Sequence, residues 1–599
     1  MKKKIRIANA GGYWGDDMDA LRRQLSGGPL DYVTMDFLAE ITMSILQKQQ
    51  RRNPELGYAS DFLTQLKTCL PLIVKKKVKV ITNAGGINPI GLGREIIALS
   101  KKMGFDLKVG VVYGDDVSQN LYELTAAGEK FTNMETGEKF DSVMHRVTTA
   151  NVYLGAEPVV AALKAGCEII VTGRVTDTGI TLAPMVHEFG WDMEDWDRMA
   201  AGIVAGHIIE CGAQGSGGNI TDWHEVPSFD KMGYPIIEME PSGEFTVTKH
   251  KRTGGLISEK SIKEQLVYEM GDPAQYISPD GVAFFNTIKV KEDGADRVRV
   301  TGVRGGPAPE MFKVSLAYSD GWKAEGEVLI SGPEVAAKAA LVERVFWKKV
   351  GHKFAKTNTA LVGAGSIWPE NLSDYAPTEA YLRFGVCDDD LTKINDFSKA
   401  LPALILAGPS GMAVSTRGRP RPQQVMAYWP ALMRRDGVSA KVLTLDTAGQ
   451  ESWQEIEFPV RGEVGEPCRS DVKPVKESGR KKPTGAQKEV TVRRLCYARS
   501  GDKGDTCNIG VLARSPQVYD WMKVALTAAV VKKFFKGKVF GSVTRFELDN
   551  LQGLNFLLEQ SLGGGGTTSL LVDPQGKTMS QALLEMKVKV PASLLRGLK

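Results

Sequence analysis

Several clusters in this sequence pair residue types and spacings that could do chemistry. In Ala205-Gly-His207-Ile-Ile-Glu210-Cys211-Gly, the histidine and glutamate stand at i and i+3 of a helix end. That spacing puts both side chains on one face, where they suit a proton-transferring pair. A histidine at a helix C-terminus also gains from the dipole alone, and both readings stay open. The following Gly217-Gly218-Asn219 carries little side-chain bulk and could wrap closely round a ligand. No HExxH occurs, so no metal is expected.

Two turns repeat one string, Asn9-Ala-Gly11-Gly12 and Asn83-Ala-Gly85-Gly86, each directly after an apolar run. Glycine pairs there let backbone amides approach an anion; equally, they make a tight turn. The segment after Gly85-Gly86 has Gly91 and Gly93 but lacks the third glycine of a dinucleotide fingerprint. In Gly173-Arg174-Val-Thr-Asp177, the Arg174 fork could hold a carboxylate or phosphate, or pair with a loop carboxylate. Asp177 reads either as part of that site or as a helix N-cap.

A third cluster is Arg499-Ser500-Gly-Asp502-Lys503-Gly-Asp505-Thr-Cys-Asn508, which packs carboxylates, cations and an amide between two apolar runs. Asp502 with Lys503, or Asp505, could tune a proton or hold an anion with Arg499, Ser500 and Asn508; a salt-bridged hairpin accounts for the charges as well. The glycine run 563–566 is a candidate backbone nest for an anion, or a plain loop. Gly576-Lys577-Thr578 lacks the first glycine of a P-loop, and Gly363-Ala-Gly365-Ser366-Ile lacks the glycine after serine of a nucleophile elbow.

The elements that must position these residues follow from the apolar pattern. Ile5–Ala8, Val78–Thr82, Leu107–Tyr113 and Glu168–Thr172 read as strands, each ending in a Gly, Asn or Asp turn. Helical periodicity covers 37–47, 60–74, 91–103, 158–165 and 178–189. This is α/β writing, and it predicts a mostly parallel, doubly wound sheet whose carboxyl ends form the binding crevice. Between about 212 and 330, alternating runs at 245–249, 281–290, 298–303 and 312–318 predict antiparallel segments inserted in or packed on that sheet. Residues 1–460 form the expected large domain. The Pro- and Gly-punctuated stretch 461–489 reads as a linker, and 490–599 as a smaller α+β domain of ferredoxin-like type.

Composition narrows the partners. The chain has 599 residues, 42% hydrophobic and 25% charged, with 76 Lys and Arg against 71 Asp and Glu, a formal net charge of +5. Basic residues are scattered instead of forming a stripe, so no nucleic-acid partner is expected. Seven cysteines without a CxxC pair argue against a disulfide framework and for a reducing, cytoplasmic setting. The basic start reaches Asn9 before any apolar run of signal-peptide length develops, and no run of eighteen apolar residues occurs, so no membrane partner is expected. The expected partner is an anionic small molecule, with a homo-oligomer as the default assembly.

Longer strings then carry a resemblance: Asn9-Ala-Gly-Gly-Tyr-Trp-Gly-Asp, Tyr153-Leu-Gly-Ala-Glu-Pro with Thr172-Gly-Arg-Val-Thr-Asp, Ala205-Gly-His-Ile-Ile-Glu-Cys-Gly-Ala-Gln, and Ala498-Arg-Ser-Gly-Asp-Lys-Gly-Asp-Thr-Cys-Asn-Ile-Gly. Over nearly its whole length the chain resembles the acyclic terpene utilisation (AtuA-like) family, with residues from about 490 resembling its C-terminal ferredoxin-like domain. The resemblance implies a place in bacterial catabolism of acyclic terpenoids through acyl-CoA intermediates. It implies no catalytic set, so the residues named above rest on their own chemistry. The expectation is a lyase or hydratase acting next to a thioester or carboxylate, with no cofactor beyond coenzyme A as part of the substrate. A non-catalytic acyl-CoA-binding or assembly subunit that partners a carboxylase is the alternative.

Overall fold

The computed structural model describes residues 2–39, 42–369, 372, 376–414, 418–459, 466–472 and 485–598. Much of the expected linker 461–489 therefore lies outside the described residues. The chain forms two compact units, each assembled from separate segments: Met1–Ala317, Trp429–Gly479 and Phe546–Gly553 in the first; Tyr318–Tyr428, Arg480–Arg545 and Leu554–Lys599 in the second.

The first unit begins with β1 (Ile5–Asn9), α1 (Ala20–Gly27), β2 (Tyr32–Met35), α2 (Thr42–Arg52), α3 (Asp61–Lys76), β3 (Lys79–Thr82), α4 (Pro89–Met103), β4 (Lys108–Tyr113) and α5 (Leu121–Ala126). It continues with β5 (Val147–Val152), α6 (Glu157–Lys164), β6 (Ile169–Thr172), α7 (Gly179–Phe189) and α8 (Trp196–Ile209). Then come β7 (Ile236–Met239), β8 (Phe245–Thr248), α9 (Glu259–Leu266) and β9 (Tyr276–Ser278). Among the described residues its main sheet has 11 strands, and parallel pairing is confined to the central run β1-β2-β3-β6-β4. On the β1 side β7, β8, Arg297–Thr301 and Lys289–Glu292 add antiparallel; on the β4 side Ser439–Asp446 and Glu451–Glu457 do the same.

The expected mostly parallel, doubly wound sheet is thus corrected to a mixed one. Strands joined by helices, in the stretch before 173, run parallel; the later segments reach both edges through hairpins and reverse direction. The alternating runs at 245–249 and 298–303 do join this sheet, at its β1 edge.

Packing follows the pattern that the sequence shows. Leu21 and Leu25 of α1, Phe62 and Leu66 of α3, and Leu92 and Ile96 of α4 share one core with Val33, Val80, Val109 and Val171 of the parallel strands. Every residue of α8 from Met199 to Ile209 is buried, which suits a helix that is apolar nearly all round. Asp195 caps its N-terminus by accepting from the Arg198 amide. α4 starts on Asn88, which accepts from the Gly91 amide, and ends at Gly104 with φ +75°.

In the second unit, Trp322–Ser331, Glu379–Asp388 and Lys356–Val362 pair antiparallel, with Phe346 of the helix Val335–Val350 packed at a tilt on Phe384 and edge-on to Phe397. The C-terminal segment is α+β, and its charged run is not a loop. Cys496–Lys503 and Thr506–Ala513 form one continuous hairpin with Lys503 opposite Thr506. Gly504 at φ +59° opens its two-residue turn, as such turns require. The hairpin is followed by two helices, Pro516–Ala525 and Ala528–Phe534, separated because Thr527 starts the second by accepting from the Val530 amide. Residues 567–572 form no strand.

Candidate functional site

The parallel strands end on a buried polar cluster in the first unit. Asn9 closes β1, Asp36 follows β2, Asn83 follows β3, Gly173 and Arg174 follow β6, and Asp115 follows β4. Asn83 ties two of these ends together: its Oδ1 accepts from the Phe37 amide at 2.7 Å and its Nδ2 donates to Asp36 Oδ1 at 2.6 Å. Asp115 ties two more, since its Oδ2 accepts from the Arg174 amide at 2.9 Å and from Asn151 Nδ2 at 2.8 Å. Gly173 has no room for a side chain because the Asp115 carboxylate stands against it.

Arg174 is 3% exposed, and its fork is engaged within the protein. Nη1 donates to the Leu38 carbonyl at 2.9 Å, Nη2 donates to Asp177 Oδ1 at 2.9 Å, and the guanidinium lies 4.2 Å from the Tyr153 ring centroid. The loop-carboxylate partner is therefore the one realised, and Arg174 positions Asp177. Asp177 is not the helix cap; Thr178 holds that place, without a side-chain capping bond. Lys313, 5.2 Å from the same Tyr153 ring and acting electrostatically on Asp177, is a second cation of the cluster.

His207 and Glu210 do meet, with Nδ1 to Oε1 at 3.3 Å and side chains 2% and 13% exposed. Nε2 of His207 lies 3.1 Å from the Gln265 carbonyl oxygen. A carbonyl only accepts, so Nε2 carries a proton, and Nδ1 is left to take or give one toward Glu210. Burial raises the Glu210 carboxyl above its usual range, against the opposing pull of His207. The second oxygen, Oε2, is buried without a hydrogen-bond partner.

Tyr276 packs edge-on to His207 with centroids 5.3 Å apart. Burial, and then the nearby Glu210, Asp177 and Glu269 carboxylates, hold its hydroxyl protonated well above the ordinary range. Glu269, at φ +52°, occupies the left-handed region that a side-chain-bearing residue seldom adopts, a strained backbone inside the cluster. The same electrostatic neighbours recur around each group, so Asp36, Arg174, Asp177, His207, Glu210, Glu269, Tyr276 and Lys313 form one constellation. Asp36, Glu269, Tyr276 and Lys313 carry no local signal in the sequence; neither does Gln265, which fixes the ring.

The glycine turns hold this constellation together more than they line it. Amides of Gly11 and Gly12 donate to Asn9 Oδ1 and Asp16 Oδ2, while those of Ala84 and Gly86 donate to Thr82 Oγ1 and the Asn83 carbonyl. A Cβ on Gly12 would meet the Cys211 carbonyl carbon at 2.6 Å, so Gly12 brings the first turn against the end of α8. A Cβ on Gly85 would meet the Thr172 carbonyl oxygen at 2.5 Å, which packs the second turn on β6. Gly86 sits at φ +53°. The amides of Gly217 and Gly218 bond back to the Gln214 and Ala213 carbonyls, and Asn219 follows at φ +58°. That loop closes on itself.

In the second unit, Asp505 Oδ1 accepts from the amides of Leu562 and Gly564 at 3.0 and 2.8 Å. The candidate nest over 563–566 is therefore filled by a carboxylate of this chain. Asp502 pairs with Lys577 at 2.9 Å, Lys503 is exposed, and Arg499 is buried in the hairpin. Ser500 Oγ accepts from the Ser580 amide at 3.0 Å, and Asn508 Nδ2 donates to Asn555 Oδ1 at 2.9 Å. These contacts are internal fasteners of the hairpin and its neighbours.

No group of three or more His, Cys, Asp or Glu among the described residues is arranged to hold a metal ion, and no described helix is long and apolar enough to cross a membrane. Residues 5–444 match the model of the acyclic terpene utilisation family protein AtuA, and residues 490–589 match that of the AtuA ferredoxin-like domain. Searches of curated proteins and of solved structures each return no match.

Proposed function

The chain belongs to the acyclic terpene utilisation family AtuA, and from that premise we propose that it is an enzyme of acyclic terpenoid or branched carboxylic-acid catabolism, a lyase or hydratase that moves a proton next to a thioester or carboxylate. One observation carries the reading: a buried histidine whose Nε2 proton is committed to Gln265 and whose Nδ1 faces Glu210. Such a pair holds one mobile proton between an imidazole and a carboxyl that burial raises above its usual range, which is what general acid/base catalysis needs.

In this mechanism Glu210, through its unpartnered Oε2 and backed by His207 Nδ1 on its other oxygen, takes or returns the proton on the carbon next to the acyl carbonyl. The Tyr276 hydroxyl, kept protonated, donates to the carbonyl oxygen as negative charge develops there. Lys313, the second cation beside Asp177, adds positive charge that attracts the anionic end of the substrate. Coenzyme A enters only as part of the substrate.

The test is a melting-temperature panel of acyl-CoA esters and dicarboxylic acids, which detects binding without presuming a reaction. A ligand present at about 100 times its Kd stabilises the fold by about 2.7 kcal/mol. At least one branched acyl ligand is expected to raise the melting temperature of the wild type, and to raise that of Lys313→Ala much less. A flat panel contradicts the proposal.

A further inference from the structure

Three rings meet at the imidazole of His207. Phe285 and Tyr276 both pack edge-on to it with centroids 5.3 Å away, and they pack on each other at 4.9 Å. Phe285 is fully buried and begins a single 3-10 turn, Phe285–Thr287. That turn closes weakly on itself, since the Ile288 amide donates to the Phe285 carbonyl oxygen only at 3.4 Å. A side chain from far along the sequence clamps it. Asn550 Nδ2 donates to the Phe285 carbonyl at 2.9 Å and to the Ile288 carbonyl at 2.8 Å. Both carbonyls only accept, so the amide nitrogen, and not Oδ1, must face them. Oδ1 is buried with no hydrogen-bond partner among the described residues, so the two donated bonds are what hold the side chain there.

Asn550 lies in the turn between Val543–Leu548 and Gly553–Leu558. It falls within 490–589, which match the ferredoxin-like domain, yet the segment Phe546–Gly553 packs with the first unit. Leu548 and Leu551 beside it are buried, and Gln552 turns the chain at φ +56°. The bond from Nε2 to the Gln265 carbonyl fixes one end of the imidazole; its tilt about that bond, which aims Nδ1 at Glu210, is set by the rings against it. We propose that Asn550 is a positioning residue for the His207–Glu210 pair: it clamps residues 285–288, and the clamped turn holds the Phe285 ring against the imidazole. The effect on proton transfer rests on the acid/base reading above; the setting of the ring does not.

Two substitutions open the clamp in different ways. Asn550→Asp keeps the shape but turns both contacts repulsive, because a carboxylate oxygen would then face the two carbonyls; Asn550→Ala removes both donors and brings no charge. Either releases the turn, so the Phe285 ring and, through it, the imidazole take a new tilt. Proton transfer is sensitive to such a shift, since about 1 Å of misplacement costs about 100-fold. His207 and Glu210 themselves are unaltered, so the loss falls on turnover and ligand binding is kept.

Magnetic resonance spectra of the full chain, labelled with 13C and 15N in its 6 histidines, test the clamp; the ring signal missing in His207→Gln belongs to His207. Asn550→Asp and Asn550→Ala are each expected to shift that signal, through changed shielding by the Phe285 ring, and Phe285→Leu is expected to shift it too. Adding Asn550→Ala to Phe285→Leu is expected to shift it no further, because the two act in series. Asp505→Ala, which removes a fastener of the second unit, is expected to leave it in place, so a general loss of stability does not imitate the effect. Should Asn550→Asp not fold, Asn550→Ala gives the same readout. A His207 signal unmoved in Asn550→Ala, or moved further in the double variant, overturns the clamp. Deuterium uptake into a branched acyl-CoA ester is expected to fall by about 10- to 100-fold in Asn550→Ala while the melting shift given by that ester is kept. A moved signal with uptake unchanged overturns the positioning role, whereas no uptake in the wild type overturns the acid/base reading and leaves the clamp standing.

Discussion

His207 and Gln265 are bonded twice: the imidazole Nε2–H donates to the Gln265 carbonyl oxygen at 3.1 Å, and the Gln265 side-chain amide donates to the His207 carbonyl oxygen at 3.3 Å. The clasp fixes both the ring's orientation and its tautomer, because only a protonated Nε2 satisfies the carbonyl. Nitrogen-15 spectra of labelled protein at neutral pH are therefore expected to place the His207 proton on Nε2. Glu210→Gln is expected to keep the fold and ligand binding while lowering turnover by about 100-fold or more, the usual worth of a positioned acid/base group. Retained turnover in Glu210→Gln removes the pair from the mechanism.

A second prediction concerns the backbone approach that assembles the site. Gly12→Ala would place a methyl group 2.6 Å from the Cys211 carbonyl carbon and 2.8 Å from the Gly212 nitrogen, both main-chain atoms that cannot swing aside. The expected loss is about 1–3 kcal/mol, read as a lowered urea midpoint, together with weakened ligand binding.

The pH dependence of stability has a definite sign. Burial raises Asp115 and Asp280 to about 6 from the ordinary aspartate value of 3.8, so between those values the folded state binds more protons than the unfolded one. Stability contributed by each is then present at about pH 4 and is lost as pH rises through about 6, by at most about 3 kcal/mol apiece. Asp115→Asn is expected to flatten the fall in melting temperature between pH 4 and 6 while leaving the region above pH 7 nearly level. An unchanged slope contradicts the assignment.

The hairpin of the second unit is predicted to be structural. Asp505→Ala strips the acceptor from the Leu562 and Gly564 amides and is expected to cost about 1–3 kcal/mol and to speed hydrogen exchange at those two positions. Asp502→Asn, which weakens the part-buried pair with Lys577, is expected to leave turnover unchanged.

The parts of this arrangement that are legible in the sequence are those encoded locally. Apolar runs ending in Asn-Ala-Gly-Gly or Gly-Arg mark three of the parallel strands and the side on which their loops gather, and the i, i+3 spacing of His207 and Glu210 marks the pair. β2 escapes because Tyr32–Met35 is only four residues and ends in Asp36 without a glycine to punctuate it. Its loss hides Asp36, which accepts from the Asn83 side chain. Gln265, Glu269, Tyr276 and Lys313 reach the site from segments whose pairing is set by long-range strand order, which no local period encodes. The run 499–508 leaves an anion-holding turn and a hairpin both open, and the hairpin is the one formed, because alternate positions of two strands accommodate its glycines and charges.

The most direct measurement is deuterium uptake into substrate. Full-length protein incubated in D2O with a panel of branched acyl-CoA esters, followed by mass spectrometry of the recovered acyl groups, reports proton removal next to the carbonyl even when no net reaction proceeds. Enzyme-dependent uptake of one deuterium is predicted with at least one ester, abolished in His207→Gln and unaffected in Asp502→Asn. Uptake that persists in His207→Gln, or none across the panel with a ligand that demonstrably binds, contradicts the proposed chemistry.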